Sequence, residues 1–386
     1  MKSIPYGRQH ITGEDIKAVV DVLNSDFLTQ GPAIKMFEDA FAKYVGSKYA
    51  VAVNNATAGL HIAAIALGVK EGTNVITTPI TFAASANCVR YCGGTVSFVD
   101  IDPATGVIDT DLLEAKLRAA PKGAYQGIIP VDFAGYAVNL ERIRELADEY
   151  GLWILEDACH APGGFFTDSK GIKQYCGNGV FAEASVFSFH PVKHIACGEG
   201  GMITTNDEGI YKELLLLRTH GITREPEMIS ENHGGWYYEM VELGYNYRLT
   251  DFQAALGLSQ LSRAEAGLKK RREIAHYYDE MFGRRKEIRL LKAPADGGHA
   301  YHLYIIHVAD RRGLYNYLRE RKVYCQVHYI PVHTLPYYQS LGHKKGDLPA
   351  AENYYAGCLS LPMFPTLTRE EQDRVVELVL NYVKAG

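Results

Sequence analysis

The run Tyr49-Ala50-Val51-Ala52-Val53-Asn54-Asn55-Ala56-Thr57-Ala58-Gly59-Leu60 decides the fold of this chain. Its first five residues are a short apolar block with β-branched valines, the next two are polar turn formers, and Thr57 opens an apolar stretch of helical length. The same strand, turn and helix order recurs downstream. Residues 75–78 precede a helix from about Phe82, 96–99 a helix over 111–119, and 127–131 a helix over 140–150, after which comes the apolar run 152–155. Apolar strands alternating with amphipathic helices predict a mostly parallel central sheet covered on both faces by helices. Sites in such sheets lie at the carboxyl ends of the strands.

Working outward, a helix over 13–23 begins at the N-cap candidate Thr12, and 24–31 reads as an ordered polar loop. A strand over 202–205 and a helix over 208–217 follow the repeats. The polar stretch 219–242 is long enough to be a functional or intersubunit loop. A helix from Thr250 through Leu261, continuing to Phe282, predicts a connector into a smaller α+β C-terminal domain. There we expect a strand over 301–308, a helix over 313–321, a strand over 323–328 and a closing helix over 369–383. The expected division is a large domain over 1–260 and a connector plus small domain over 261–386.

A chain of 386 residues can bury one large core plus a smaller one. The formal net charge of −5 offers no basic surface, which argues against a charge-driven nucleic-acid binder. Apolar runs such as 62–67 fall far short of the roughly 20 residues that span a bilayer, and Met1-Lys2-Ser3-Ile4-Pro5 opens no secretory core, so a cytoplasmic protein without a membrane partner is expected. Seven cysteines without a CxxC pair predict reduced thiols and no metal centre.

Four features carry chemistry, and each has a plainer reading beside it. The stretch Val186-Phe187-Ser188-Phe189-His190-Pro191-Val192-Lys193 leaves an amine at the mouth of a buried sheet, where it can form a Schiff base; taken alone it is a solvated loop lysine. The acid pair in Glu156-Asp157-Ala158-Cys159-His160-Ala161 ends a strand, as a helix cap or as the partner of a cationic ring nitrogen. The junction Asn55-Ala56-Thr57-Ala58 offers free amides to an anion, or is an ordinary cap. Phe82 is a core aromatic or a stacking face, and the Ser188 hydroxyl is available to a phosphate.

Together with Gly198-Glu199-Gly200-Gly201, Leu217-Arg218-Thr219-His220-Gly221 and Gly244-Tyr245-Asn246-Tyr247-Arg248-Leu249-Thr250-Asp251, these segments resemble the sugar aminotransferases of the DegT/DnrJ/EryC1/StrS family over nearly the whole chain. The resemblance implies fold type I of the pyridoxal-phosphate (PLP) enzymes, with PLP as cofactor and pyridoxamine phosphate as its alternate form. It implies that Lys193 holds PLP as a Schiff base, that Asp157 pairs with the pyridine nitrogen, and that His160 sits near the ring and Phe82 stacks on it. Thr57, Ala58 and Ser188 would bind the phosphate, with Ala56 in the same loop, and Asn246 would reach it from a neighbouring subunit of a homodimer with shared active sites. The chain departs from the family pattern at Ala56, where glycine is common, and at His194 and Ala196-Cys197, which replace a proline and a threonine pair.

Within the family, Tyr6, the segment Asp26, Phe27, Leu28 and Thr29, and the segment Gln326, Val327, His328 and Tyr329 are similar to members acting in pseudaminic acid biosynthesis, which implies sugar-nucleotide contacts at those positions. The implied activity moves an amino group from L-glutamate to C4 of a nucleotide-linked 4-keto-6-deoxy sugar of the UDP-4-keto-6-deoxy-N-acetyl-L-altrosamine type. The alternatives are a PLP-dependent nucleotide-sugar dehydratase, whose relatives carry histidine in place of the lysine as His194 would here, and a non-catalytic homologue.

Overall fold

The computed structural model of the protein describes residues 2–385. In chain order its first nine strands are β1 (Tyr49–Val53), β2 (Asn74–Thr77), β3 (Thr95–Phe98), β4 (Gly127–Ile129), β5 (Trp153–Asp157), β6 (Phe165–Thr167), β7 (Lys173–Tyr175), β8 (Ala184–Ser188) and β9 (Gly201–Thr205). Seven of them form the central sheet in the order β1-β9-β8-β5-β4-β2-β3, while β6 and β7 make a separate antiparallel hairpin. Pairings from β8 through β5, β4 and β2 to β3 are parallel, and β9 runs antiparallel to both β8 and β1. The exception has a topological cause: β9 follows β8 through a loop, and a return without a crossover helix yields an antiparallel pair. Valines and isoleucines such as Val51, Val53, Ile76, Ile128, Ile154 and Val186 are fully buried, as a sheet covered on both faces requires.

The covering helices are α1 (Gly13–Leu23), α2 (Pro32–Val45), α3 (Ala56–Ala66), α4 (Ala84–Tyr91), α5 (Thr110–Ala119), α6 (Leu140–Tyr150), α7 (Glu208–Arg218), α8 (Asp251–Leu261) and α9 (Ala264–Phe282). Helix α3 is apolar nearly all round because it lies between the sheet and helices α4 and α7. It lies close because Gly59 has no side chain: a Cβ there would sit 3.1 Å from Val186 and 3.3 Å from Ile203 and Val53. Helix α1 is the opposite case. Its one buried residue is Asp15, held by Ser259 Oγ at 2.6 Å, Gln260 Nε2 at 2.8 Å and the Arg263 guanidinium, while Ile16, Val20 and Leu23 are exposed. The expected connector is two helices, since the chain turns at Ser262 and Arg263, where Ser262 Oγ closes α8 by donating to Ser259 O at 2.7 Å.

Short strands β10 (Ile222–Thr223) and β11 (Glu239–Met240) pair within the long polar stretch. Beyond α9, strands β12 (Arg289–Leu290), β13 (Tyr304–His307) and β14 (Cys358–Leu361) form a small antiparallel sheet. Helices α10 (Arg311–Glu320), α11 (Pro336–Ser340), α12 (Pro349–Gly357) and α13 (Arg369–Ala385) complete the chain. A second apolar cluster, with Tyr278, Phe282, Ile306, Leu314, Val375 and Val379, also takes in Ile4, whose backbone bonds to Lys322 and Tyr324. The expected strand over 323–328 is not a strand of this sheet. Val323 and Cys325 are buried in alternation as a strand would have them, but the segment makes only isolated bridges, Val323 to Ile4 and Gln326 to Ser360 on the outer edge of β14.

Candidate active site

Strands β5 and β8 pair in register, Asp157 beside Val186, so their last residues Asp157 and Ser188 come out at the same edge of the sheet. A cavity of about 600 Å³ opens there. Of the residues expected from sequence, Tyr6, Ala56, Thr57, Phe82, Asp157, His160, Ser188, Lys193, His328 and Tyr329 all line it. Ala58, Gln326, Val327, Asn246 and Asp26, Phe27, Leu28 and Thr29 do not. The last four are exposed, on a segment pinned to the start of α8 by the Asp251 N–H donating to Leu28 O at 3.0 Å.

The two acids ending β5 part company because successive strand residues face opposite ways. Glu156 turns into the core, where it accepts from Ser185 Oγ at 2.5 Å and from the Gly177 N–H at 2.9 Å, beside buried Asp132. Burial pushes both of these carboxyls up, and the Glu156 charge adds to the rise at Asp132. Asp157 faces the cavity: Ser85 Oγ–H donates to its Oδ2 at 2.6 Å and the Cys159 N–H to its Oδ1 at 3.2 Å.

At the first turn of α3 the two readings of the Asn55 loop both hold. Asn55 Oδ1 accepts the Ala58 N–H at 2.8 Å, which is the cap, and the N–H groups of Ala56 and Thr57 have no intrahelical acceptor and remain for an anion. The loop fits against β9 because of Gly201, where a Cβ would come within 2.7 Å of Asn55 C and Ala56 N.

Lys193 stands on a turn closed by its N–H to His190 O at 2.8 Å, and its Nζ lies 3.3 Å from His302 Nε2. Burial lowers the lysine to about 8, against the upward pull of Cys159 and Asp157, and the Arg271 charge lowers it further. Buried His160 accepts the Ala134 N–H on Nδ1 at 3.2 Å and meets Tyr329 Oη through Nε2 at 3.2 Å; this network assigns its proton to Nε2. His328 bonds Ser360 Oγ through Nδ1 at 2.9 Å and packs on the Tyr6 ring at 5.4 Å. Burial pushes His160 well below the usual imidazole range and His328 down to about 3, with the Lys193 charge adding to both.

Sequence reasoning missed Ser85, His302 and Arg271. Ser85 lies in an ordinary helical pattern 72 residues from Asp157, and His302 falls in an expected strand 109 residues from Lys193, so neither has a local signal. His194, the alternative to Lys193, turns away: its Nε2 lies 2.8 Å from Ala300 O and it does not line the cavity.

An amine, a carboxylate at the end of the neighbouring strand and a cradle of free amides cleared by Gly201 fit PLP, which Lys193, Asp157 and the first turn of α3 would hold. Comparison with known proteins agrees. The profile of the DegT/DnrJ/EryC1/StrS aminotransferase family matches residues 9–380. The spore coat polysaccharide biosynthesis protein SpsC of Bacillus subtilis is 39% identical over 99% of this chain and 98% of its own. The UDP-4-amino-4,6-dideoxy-N-acetyl-beta-L-altrosamine transaminase of Campylobacter jejuni strain 81-176 is 36% identical over 99% of each chain. The sugar aminotransferase Spr1654 of Streptococcus pneumoniae in its PLP form is 29% identical, covers 100% of this chain and 99% of its own, and superposes with a TM-score of 0.89; it is also known in the pyridoxamine-phosphate form. The chain belongs to the DegT/DnrJ/EryC1/StrS aminotransferase family and is a PLP-dependent sugar aminotransferase of fold type I.

Proposed function

We propose that the enzyme moves an amino group from L-glutamate to C4 of a nucleotide-linked 4-keto-6-deoxy sugar of the UDP-4-keto-6-deoxy-N-acetyl-L-altrosamine type, working as a homodimer. The observation that carries the chemistry is the meeting of Lys193 and Asp157 in one cavity beside the free amides of α3. PLP bound there would supply an electron sink. Lys193 Nζ takes the donor Cα proton and releases it again within the site, which suits an amine whose pKa burial holds near 8. Asp157, oriented by a hydrogen bond to each oxygen, would pair with the ring nitrogen. The thiol and imidazoles around them are kept neutral by burial, so they add no competing charge.

The substrate assignment is supported by the Campylobacter relative and by Tyr6, His328 and Tyr329, which line the same cavity. The homodimer is supported by two features. Asn246 is exposed and outside its own chain's cavity, as expected of a residue serving a second copy, and Ile16, Val20, Leu23, Phe27 and Leu28 leave apolar surface to cover. On this reading Asp26 to Thr29 also serve a partner's site. The inward-facing Lys193 and the outward turn of His194 disfavour the dehydratase.

The test is to incubate the enzyme with L-glutamate and UDP-, dTDP- and GDP-linked 4-keto sugars in turn, following 2-oxoglutarate and the amino sugar by mass spectrometry. We expect product with the UDP sugar and none from Lys193→Ala, which also loses the visible PLP band. Product from the Lys193→Ala protein rejects the mechanism, and a preference for another nucleotide rejects the substrate.

A further inference from the structure

Lys193 sits among buried groups, of which burial keeps Cys159, His160, His194, His302 and His328 neutral. Asp157 at the end of β5 and Arg271 on α9 lie near it as well, one pulling its pKa up and the other down. Among the described residues, one side-chain atom is within hydrogen-bond distance of Lys193 Nζ, and it is His302 Nε2 at 3.3 Å. The other nitrogen of that ring, Nδ1, is buried with no partner among the described residues. No partner on Nδ1 sets the tautomer, so the contact at Nε2 decides it: facing an ammonium, Nε2 accepts and the ring proton sits on Nδ1.

The backbone that carries His302 is clasped. Arg271 is 1% exposed, and its Nη1 donates to Tyr301 O at 3.2 Å, His302 O at 3.3 Å and Met363 O at 3.1 Å. All three contacts come from Nη1, whose two hydrogens they share, while Nε is buried with no partner and the guanidinium has no carboxylate partner among the described residues. The three contacts also anchor a turn in which Tyr301 has φ +48°, a left-handed conformation that a tyrosine adopts only when its surroundings impose it.

We propose that His302 is a positioning residue for Lys193: its Nε2 receives an N–H of the Lys193 ammonium, and the Arg271 clasp holds the ring where that hydrogen bond forms. The inference rests on Lys193 being the reactive amine. Such a lysine must be neutral to take a proton and charged while it holds one. A carboxylate at the position of His302 would favour the charged form too strongly, and an apolar side chain would leave a buried ammonium without a partner. A neutral imidazole offers one acceptor and no charge. The clasp also sets the direction, since it fixes His302 from the backbone and leaves the ring plane to the contact with Lys193 and with His160, whose ring centroid is 4.3 Å away.

The experiment uses the apoprotein, so that no bound group contributes. Acylation of Lys193 by acetic anhydride is followed against pH by peptide mass spectrometry, and the wild-type midpoint is expected at about 8. In His302→Leu the midpoint falls by about one pH unit, because a hydrogen bond to a charged group is lost. In His302→Gln, whose amide oxygen still accepts, it stays near the wild-type value. A wild-type midpoint in His302→Leu overturns the proposal, and so does a fall in His302→Gln as large as in the leucine variant, which would assign the effect to packing. Borohydride reduction of the wild-type holoenzyme separates the two readings: PLP fixed on Lys193 supports the functional reading, and PLP not fixed there overturns it together with the positioning role of His302.

Discussion

Glu156 and Asp157 are neighbours with unrelated duties, and the pleat of one strand separates them. Asp157 depends on Ser85, whose hydroxyl reaches its Oδ2 at 2.6 Å and is itself 2.7 Å from Thr81 Oγ1. Asp157→Asn removes the charge that faces the ring nitrogen and is expected to lower turnover at least about a hundredfold. Ser85→Ala removes one hydrogen bond to that charge and is expected to cost about tenfold. Steady-state kinetics with saturating PLP check both. Equal losses in the two variants would show that Ser85 does more than hold the carboxylate. The acid was visible in the sequence as a strand end, whereas the hydroxyl that orients it was not.

Helix α3 presents its first turn to the cavity because two glycines let it and its leading loop sit close to the sheet. Gly59 seats the helix on β1, β8 and β9, and Gly201 clears the loop that precedes it. Gly201→Ala forces a Cβ against Asn55 C and Ala56 N at 2.7 Å, where the neighbour is backbone and has little room to give. Overpacking of this kind costs about 1–3 kcal/mol, and here it also displaces the anion cradle. The expected result is a lower melting temperature together with weaker PLP binding, read by thermal denaturation and by titration of the visible band. Asn55→Ala is the milder change, losing a cap worth about 1 kcal/mol. The strand, turn and helix order of this region was legible because each element has its own period. The small domain was less legible: residues 323–328 have the alternation of a strand, but pairing is settled by tertiary contact, and the segment is shared between Ile4 at Val323 and the outer edge of β14 at Gln326.

Across the molecule, buried neutral histidines tie stability to pH. His299, His307 and His328 are each pushed down to about 3 by burial, with Arg272, Arg289 and Lys193 adding to the effect in turn, and His160, His194 and His302 are also held low by burial. As pH falls below about 6.5 the unfolded chain takes up protons that the folded one refuses, so stability is lost progressively towards about pH 3. The raised carboxyls of Asp132, Glu156, Glu213 and Asp279 act in the opposite sense, but they are four groups against six rings. The denaturant midpoint is expected to fall between pH 7 and pH 5, and to fall less in His307→Gln, whose amide oxygen still accepts from Arg289. A flat profile in the wild-type protein would contradict this.

The chain's local patterns were enough to establish the α/β class and the succession of strands through β5, and they marked Lys193, Asp157 and the Asn55 loop as candidates that the family resemblance joined into one site. These are features that short-range periodicity and turn chemistry write directly into the order of residues. Packing settled the rest: the antiparallel β9, the outward apolar stripe of α1, the failed strand at 323–328, and the support that Ser85, His302 and Arg271 lend to the reactive pair. Those contacts join residues 72, 109 and 31 positions apart, and a hydrogen bond between distant residues imposes no pattern on the sequence near either partner.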